Sequence, residues 1–232
     1  MSEPAAAVST APPVARTALA FPGPRRIVDG WELTARHATG DLVLADLGPL
    51  VKLTVRGPAE GAVRAALGTG FGRTARHDEG ALAGALVVGA GPGEWLVLGP
   101  AGTGGELLAA TRAVVADSGE FASVVDVTHG RALVRLTGAA APALLAKVCA
   151  IDLADRVVPD GSAFRSSVAR VVTDVVRDDI RDELDDPAGD GTARTRSYLL
   201  HCERSSGQYL ADALVDAGTE YGIEVGAPPS AR

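Results

Sequence analysis

The stretch ALVVGAGPGEWLVLGPAGTGGELL, residues 85–108, decides how the rest of the chain is interpreted. It holds two patterns that resemble phosphate-binding loops. An apolar run precedes Gly89, Gly91 and Gly93, as in a dinucleotide-binding turn, and GPAGTGGE, residues 99–106, resembles a P-loop. The structure that this stretch adopts therefore determines whether the chain is expected to bind a nucleotide.

The glycine run does not meet the requirements of a dinucleotide-binding turn. Such a turn needs a third glycine where this chain has Glu94, and it must open into a helix whose free amides meet the pyrophosphate. The residues that follow are WLVLG, 95–99, which is an apolar strand pattern. The glycines are then expected to supply positive φ angles at the tip of a β-hairpin that joins residues 85–88 to residues 95–98.

The P-loop resemblance fails on its chemistry. The motif G-x-x-x-x-G-K-[ST] needs a lysine for the phosphates and a hydroxyl for magnesium, and this chain has Gly105 and Glu106 at those places. A carboxylate there would repel a phosphate. Thr103 and Glu106 instead have capping-box spacing, which predicts the start of a helix.

The same order of elements occurs twice along the chain. Residues 52–67 and 133–148 each show a short alternating strand, a glycine and an Ala/Leu/Val-rich helix. Residues 94–115 and 197–218 each show a strand, a polar break and a helix, and Ser205 with Gln208 repeats the capping-box spacing. The chain is therefore expected to contain two copies of one unit.

These patterns predict an α+β fold of two pseudo-symmetric β-α-β-β-α repeats, at about residues 45–119 and 123–222. In the first strand Leu53 and Val55 point one way and Lys52, Thr54 and Arg56 the other. Each sheet is therefore expected to have helices on one face and water on the other.

The segments outside the repeats are assigned by composition. The Ala/Pro/Ser-rich residues 1–27 are expected to form a mobile arm, residues 28–222 the folded domain, and residues 223–232 a frayed tail. Residues 178–191 carry seven carboxylates without the spacing of a calcium loop, so they are expected to be a solvated insertion at a hairpin tip.

Composition excludes several classes of function. The chain has 22 basic and 29 acidic residues, a net charge of −7, and its longest basic cluster is a pair. This argues against a nucleic-acid or anionic-membrane surface. The two cysteines form no disulfide framework, so the cytoplasm is the expected location, and no apolar run reaches the roughly 18 residues of a membrane span.

Few residues have the types and spacing that chemistry requires. The four histidines form no zinc-binding pattern, so no metal site is expected. His201 is expected to face solvent, and Cys149 and Cys202 to be buried as small apolar side chains. DVTHG, residues 126–130, is the polar cluster placed where a pocket could form. It is either a turn in which Asp126 or Thr128 caps local amides, or a ligand site.

Several segments taken together resemble the gamma subunit of heterotetrameric sarcosine oxidase. They are LADLGPLVKLTVRGPAE (44–60), GPGEWLVLGP (91–100), SVVDVTHGRALVRLTGAAAPALLAKVCAIDLADRVVPDGSAF (123–164) and YLLHCERSSGQYLADALVDAGTEYG (198–222). The resemblance extends over about residues 42–222. The segments are specific when taken together, although no single segment identifies the family.

That family is related to the glycine-cleavage T-protein, a folate-binding aminomethyltransferase, and residues 126–145 resemble its D-x-[ST]-H strand entry. The resemblance implies a T-protein-like fold, here without the further C-terminal barrel domain. Asp126, His129 and Arg131 would line a vestigial pterin pocket. The T-protein carboxylate that holds the pterin has no counterpart in LGTGFGRTAR, residues 67–76.

The resemblance also implies a role. In the sarcosine oxidase complex sarcosine is oxidatively demethylated to glycine, and the alpha, beta and delta subunits carry the NAD, the flavins FAD and FMN, the folate site and zinc. The gamma subunit is a scaffold beside the T-protein-like domain of the alpha subunit. We therefore expect a structural subunit with no catalytic residue and no bound metal or cofactor, tetrahydrofolate being the one candidate ligand.

Two alternatives remain open from the sequence. The first is a stand-alone folate-binding one-carbon transfer enzyme or demethylase with the same fold, because a fold does not determine a function. The second is an adaptor without catalytic activity in another pathway.

Overall fold

The structure is a computed structural model that describes residues 13–181 and 194–226. The chain begins with three short strands, β1 (Ala15–Arg16), β2 (Arg25–Val28) and β3 (Trp31–Thr34), which form a small sheet in the order β1-β3-β2. Strand β4 (Val43–Asp46) follows and belongs to the larger of two main sheets.

The next elements build the smaller main sheet. They are β5 (Val51–Arg56), α1 (Ala62–Leu67), β6 (Thr74–Arg76), β7 (Leu86–Gly91), β8 (Glu94–Gly99), α2 (Gly104–Asp117) and β9 (Ser123–Asp126). The five strands lie in the order β6-β7-β8-β5-β9. Helices α1 and α2 cover one face, where Leu53, Val55 and Trp95 pack against Val63 and Leu107.

The remaining elements complete the larger sheet. They are β10 (Arg131–Thr137), α3 (Ala141–Ala146), β11 (Ala163–Val168), β12 (Val171–Arg177), β13 (Ile180–Arg181), β14 (Arg194–Thr195), β15 (Ser197–Glu203), α4 (Gly207–Gly218) and β16 (Glu224–Gly226). Six strands lie in the order β11-β12-β15-β10-β4-β16, and β13 pairs with β14. Helices α3 and α4 cover one face, where Leu144, Leu210 and Leu214 pack against Leu136 and Leu200.

The hairpin predicted from the opening stretch is confirmed. Strands β7 and β8 are antiparallel, with Val87 opposite Val97. The predicted backbone geometry is only partly correct, because among Gly89, Gly91 and Gly93 only Gly93 has a positive φ angle, 70°. Strand β8, and not a helix, follows the glycine run, so the dinucleotide-binding pattern lacks the structure that such a site requires. Helix α2 does begin at Gly104, but the P-loop pattern lacks the lysine and hydroxyl of that motif.

The two sheets pack face to face, so the prediction of one wet face on each sheet is wrong. A shared apolar layer lies between them, formed by Leu86, Val88, Leu96 and Leu98 of the smaller sheet and Leu133, Ala163, Val176 and Leu199 of the larger. Alternation identifies the face that packs on helices, but it does not reveal what covers the opposite face. The architecture is therefore four layers, with helices outside and two sheets within.

The predicted mobile arm is ordered where the structure describes it. Residues 13–27 contain β1 and most of β2, and Leu19 and Phe21 are buried in the core beside α4. Two apolar side chains within an Ala/Pro-rich segment are enough to anchor it, because each gains about 1.5–3 kcal/mol on burial. Residues 1–12 and the tail from 227 onward lie outside the described residues.

Neither predicted capping box forms. The Thr103 hydroxyl donates to the carbonyl of Pro100 at 2.8 Å. Gln208 follows the first residue of α4, and its Oε1 accepts from the amide of Ala20 at 2.6 Å. Spacing alone could not distinguish a cap from these other partners, although it placed both helix starts within two residues.

The predicted acidic insertion is not solvated at its start. Asp178 is buried and forms ion pairs with Arg135, at 2.6 Å, and with Arg76 of the other sheet. Asp179 forms an ion pair with Arg177 at 2.8 Å. Residues 182–191 of that insertion lie outside the described residues.

Candidate functional site

The DVTHG segment lies at the junction between the two main sheets, after β9 and before β10. Asp126 is exposed, and its Oδ1 accepts from the amide of Thr128 at 2.8 Å. The Thr128 hydroxyl oxygen accepts from the amide of Lys52 at 3.0 Å. The local turn is therefore confirmed, with the Asp126 carboxylate capping a backbone amide in the chain itself.

His129 and Arg131, the other two predicted pterin-pocket residues, also have partners within the chain. The His129 ring stacks on the ring of Trp31, with centroids 4.8 Å apart and planes 8° from parallel. Arg131 forms an ion pair with Glu203, its neighbour on β15, at 2.5 Å. The structure thus brings the three residues to one junction, and each of them is engaged by another part of the chain.

An open cleft of about 500 Å³ lies beside this junction, and the N-terminal segment forms one side of it. The cleft is lined by Thr17, Ala18, Gly130, Glu203, Arg204 and Ser205. Arg204 fastens the segment by donating from Nη2 to the carbonyls of Arg16, at 2.7 Å, and Thr17, at 3.1 Å. Sequence reasoning missed this arrangement, because no local pattern links residues 16–31 to residues 129 and 204.

A chain of charged side chains crosses the layer between the two main sheets. Arg165 on β11 donates to Glu94 of the smaller sheet at 2.7 Å and to Asp174 on β12 at 2.6 Å. The Asp174 carboxylate also accepts a hydrogen bond from His201 Nδ1 at 3.1 Å. These contacts join the sheets through directional bonds in addition to the apolar layer.

His201 is buried rather than facing solvent, which corrects the prediction from its strand pattern. Only 3% of the residue is exposed, and within the described part of the chain its Nε2 has no hydrogen-bond partner. Burial lowers the pKa of His201, partly opposed by its contact with Asp174. Burial would raise the pKa of Asp174, but the hydrogen bonds from His201 and Arg165 hold it below its ordinary value.

The His201–Asp174 pair has the composition of a general acid–base pair without the access that catalysis requires. Both side chains lie between the sheets, surrounded by the inter-sheet apolar layer. A candidate base must come within hydrogen-bond reach of a substrate proton, directly or through one water. The buried pair therefore contributes to the packing of the two sheets.

The buried thiols give a testable expectation. Cys149 and Cys202 are both reduced and buried, as predicted, and burial raises the pKa of Cys202 to about 11. Because the thiolate is the reactive form, we expect no thiol to react with an aromatic disulfide reagent in the native protein and two to react in denaturant. Rapid native labelling of Cys202 would contradict its burial in the core with Leu210 and Ala211 of α4.

The described residues contain neither a cluster of metal-ligating side chains nor a membrane-spanning helix. Across residues 13–181 and 194–226, no three His, Cys, Asp or Glu side chains are grouped so that they could hold a metal ion. No helix in those same ranges is both long and apolar enough to cross a membrane.

Comparisons with solved structures show the fold. The chain superposes on heterotetrameric sarcosine oxidase from Corynebacterium sp. U-96 in complex with pyrrole 2-carboxylate, with a TM-score of 0.60 and 22% identity, covering 82% of this chain and 90% of that one. It also superposes on glycine cleavage system aminomethyltransferase T from Bartonella henselae, with a TM-score of 0.62 and 16% identity, covering 88% of this chain and 55% of that one. The fold is therefore α+β and similar to that of the T-protein.

Sequence comparisons show the family. Residues 59–185 match the family described as sarcosine oxidase, gamma subunit. The sarcosine oxidase subunit gamma of Arthrobacter sp. is 33% identical over 147 residues, which is 60% of this chain and 70% of the relative. That of Corynebacterium sp. (strain P-1) is 31% identical over 145 residues, with the same two coverages. The chain belongs to the sarcosine oxidase gamma subunit family.

Proposed function

We propose that this chain is the gamma subunit of a heterotetrameric sarcosine-oxidase-like complex, in which it has a structural and not a catalytic role. The observation that carries the proposal is the family match over residues 59–185. The contacts at the DVTHG junction support the structural role, because Asp126, His129 and Arg131 each bind or stack on another residue of the same chain.

The burial of the reactive side chains supports the same role. Three described side chains whose chemistry could serve as base or nucleophile, those of Lys52, His201 and Cys202, are buried. A substrate could reach none of them without separating the sheets or lifting a helix. Oxidation of sarcosine to glycine in such a complex would then depend on groups held by other subunits.

The proposed role assigns the cofactors of the reaction to other subunits and gives this chain a direct neighbour. The chain itself is proposed to bind no cofactor, while the FAD, FMN and NAD of the reaction lie on the alpha, beta and delta subunits. Its direct neighbour is proposed to be the T-protein-like domain of the alpha subunit. The cytoplasm is the proposed location, in keeping with two reduced cysteines.

We also propose that the two halves of the chain are structural repeats. The strand order β6-β7-β8-β5 in one sheet matches β11-β12-β15-β10 in the other, element for element along the chain. Each half places its helices on the outer face of its own sheet. A T-protein-like pair of units would pack in this way.

Co-expression tests the proposed function. We expect the tagged chain to purify in equal amounts with co-expressed alpha, beta and delta subunits of the same organism, and the complex to produce peroxide from sarcosine. The isolated chain should produce none. A monomeric chain that joins no complex would overturn the proposal.

Calorimetric titration with tetrahydrofolate distinguishes the proposed structural role from the alternative of a stand-alone folate enzyme. We expect no binding heat at high micromolar ligand, because the pterin-pocket residues already have partners. Saturable binding that is lost in Arg131→Ala and retained in Arg156→Ala, an exposed arginine away from the junction, would favour the alternative instead.

A further inference from the structure

An open strand edge lies on the larger sheet, far from the DVTHG junction. Strand β11 is the outermost strand and pairs with β12, while isolated antiparallel bridges at Arg73–Ser162 and Cys149–Val168 close its two ends and leave the middle of the edge open. A strand edge presents backbone donors and acceptors that can pair with another chain. The backbone groups of β11 that are available to another chain are those that point away from β12.

The outward amides can be identified from the two ends of the strand. The Ala163 amide donates to the carbonyl of Gly72 at 3.0 Å, and the Ala169 amide donates to that of Val148 at 2.8 Å, both away from β12. Because alternate residues of an antiparallel strand point the same way, the amides of Arg165 and Ser167 also point outward. Neither has an acceptor among the residues that the structure describes.

A groove of about 340 Å³ runs beside this open edge. It is lined by Gly72, Arg73, Ile151, Val157, Val158, Ser162, Ala163, Phe164 and Arg165. Val157 is 50% exposed, and Phe71, next to the lining residues in sequence, is 62% exposed. Neighbouring exposed apolar side chains are characteristic of a surface that another chain covers.

The charge at the groove selects the kind of segment that would fit. The Arg165 guanidinium is already bound to Asp174 and Glu94. Arg73 is exposed, and its guanidinium has no ionic or hydrogen-bonded partner within residues 13–181 and 194–226. In a chain with a net charge of −7, an unpaired arginine beside an apolar groove favours an acidic side chain from outside.

We propose that the groove and the open edge at residues 164–166 bind an extended segment of another subunit of the complex. The segment adds as a strand beside β11, places an apolar side chain in the groove and pairs a carboxylate with Arg73. Backbone pairing supplies affinity in such strand addition, and the side-chain pockets supply specificity. This inference rests on the proposed function, because it needs a partner subunit.

Paired substitutions in the co-expressed complex test the groove. Arg73→Glu and Val157→Asp should each raise the dissociation constant of the chain from the other subunits at least about tenfold. Val172→Asp is the matched control, since Val172 is 69% exposed on β12 and does not line the groove. It should bind as the wild type does, and all three sites are exposed enough for folding to persist.

The strand edge has its own readout. In the wild type, hydrogen exchange in a peptide spanning residues 163–168 should slow on assembly. Peptides spanning β7 should not change.

The outcomes separate the two proposals. If the wild type joins the complex and the groove variants join equally well, the groove assignment is wrong and the proposed function stands. If the wild type joins no complex, the proposed function fails and this inference fails with it. If Val157→Asp abolishes self-association and leaves complex formation intact, the occupant is a second copy of this chain, which also overturns the inference.

Discussion

Replacing Gly89 by alanine is expected to destabilise the protein by about 3 kcal/mol or more, because the added methyl group has no space. A Cβ at this position would lie 1.9 Å from the carbonyl oxygen and 2.4 Å from the carbonyl carbon of Gly70. Both atoms belong to the backbone, so no side-chain rotation relieves the clash. Either the backbone at Gly70 or the backbone at Gly89 must therefore move.

Hydrogen bonds hold the segment that passes over Gly89, residues 69–73, in place. The Gly72 amide donates to the Gly89 carbonyl and the Gly89 amide to the Arg73 carbonyl, each at 2.9 Å. Trp95 donates from its indole nitrogen to the carbonyl of Thr69 at 2.9 Å. Moving the segment away would break these bonds, and a buried polar group left unsatisfied costs about 1–3 kcal/mol.

Denaturant unfolding followed by tryptophan fluorescence measures this effect. Gly105→Ala is the matched control, since Gly105 lies in α2 with no atom within 4 Å of a built Cβ. It should leave stability unchanged or raise it by up to about 1 kcal/mol, as alanine is the better helix former. A Gly89→Ala protein within about 0.5 kcal/mol of the wild type would mean that the backbones do not approach this closely.

Gly89 also shows how far the sequence predicts this fold. The apolar runs flanking it predicted the β7–β8 hairpin correctly, and the alternation of Leu53 and Val55 predicted the face that packs on helices. The role of Gly89 itself was not predictable. A glycine that permits a turn and one that permits a close crossing look identical in sequence, and the crossing segment lies about twenty residues away.

The layer between the sheets could not be predicted for a different reason. Lys52 and His201 alternate with apolar residues, which is also the pattern of a strand with one solvated face. Whether such residues meet water or each other depends on how two sheets stack, and local periodicity carries no information on that. Ion pairs such as Arg165–Asp174 then satisfy charges that burial would otherwise penalise.

The candidate site was predicted in part. The sequence placed Asp126, His129 and Arg131 at one strand entry, and its alternative of a local turn at Asp126 is the one that the structure has. The stacking of Trp31 on His129 was missed, since it depends on a contact across about a hundred residues. A tryptophan in a segment close to an Ala/Pro-rich terminus was the available signal, because tryptophan is seldom left without packing.

Lys52 leads to the second large expected effect, which depends on pH. The residue is fully buried, and its Nζ donates to the carbonyls of Gly48, at 2.7 Å, and Leu50, at 2.8 Å. Burial lowers the pKa of Lys52 from 10.5 to about 8, although Asp46 and Asp126 act in the opposite direction. The folded protein therefore holds this proton less tightly than the unfolded chain does.

The direction of the pH dependence follows from that difference. Between about pH 8 and 10.5 the unfolded state binds more protons at this site than the folded state, so the contribution of Lys52 to stability rises with pH. Below pH 8 the buried cation carries its full cost, on the order of 3 kcal/mol. From pH 7 to pH 10.5 the free energy of unfolding of the wild type should therefore rise by about that amount relative to Lys52→Met, which lacks the group.

The chain supplies a matched control, because its other lysine is Lys147. Lys147 is on the surface, and its hydrogen bond to Glu220 raises its pKa. Its contribution is present at low pH and is lost as pH rises through that raised value, so the difference between wild type and Lys147→Met should fall, where that for Lys52→Met rises. With lysine labelled by ¹³C at Cε, the wild type should give two signals, one of which titrates near pH 8 and disappears in Lys52→Met. Two signals that both titrate above pH 10 would show that the Lys52 ammonium reaches water, and the sheets would then not close over it as described.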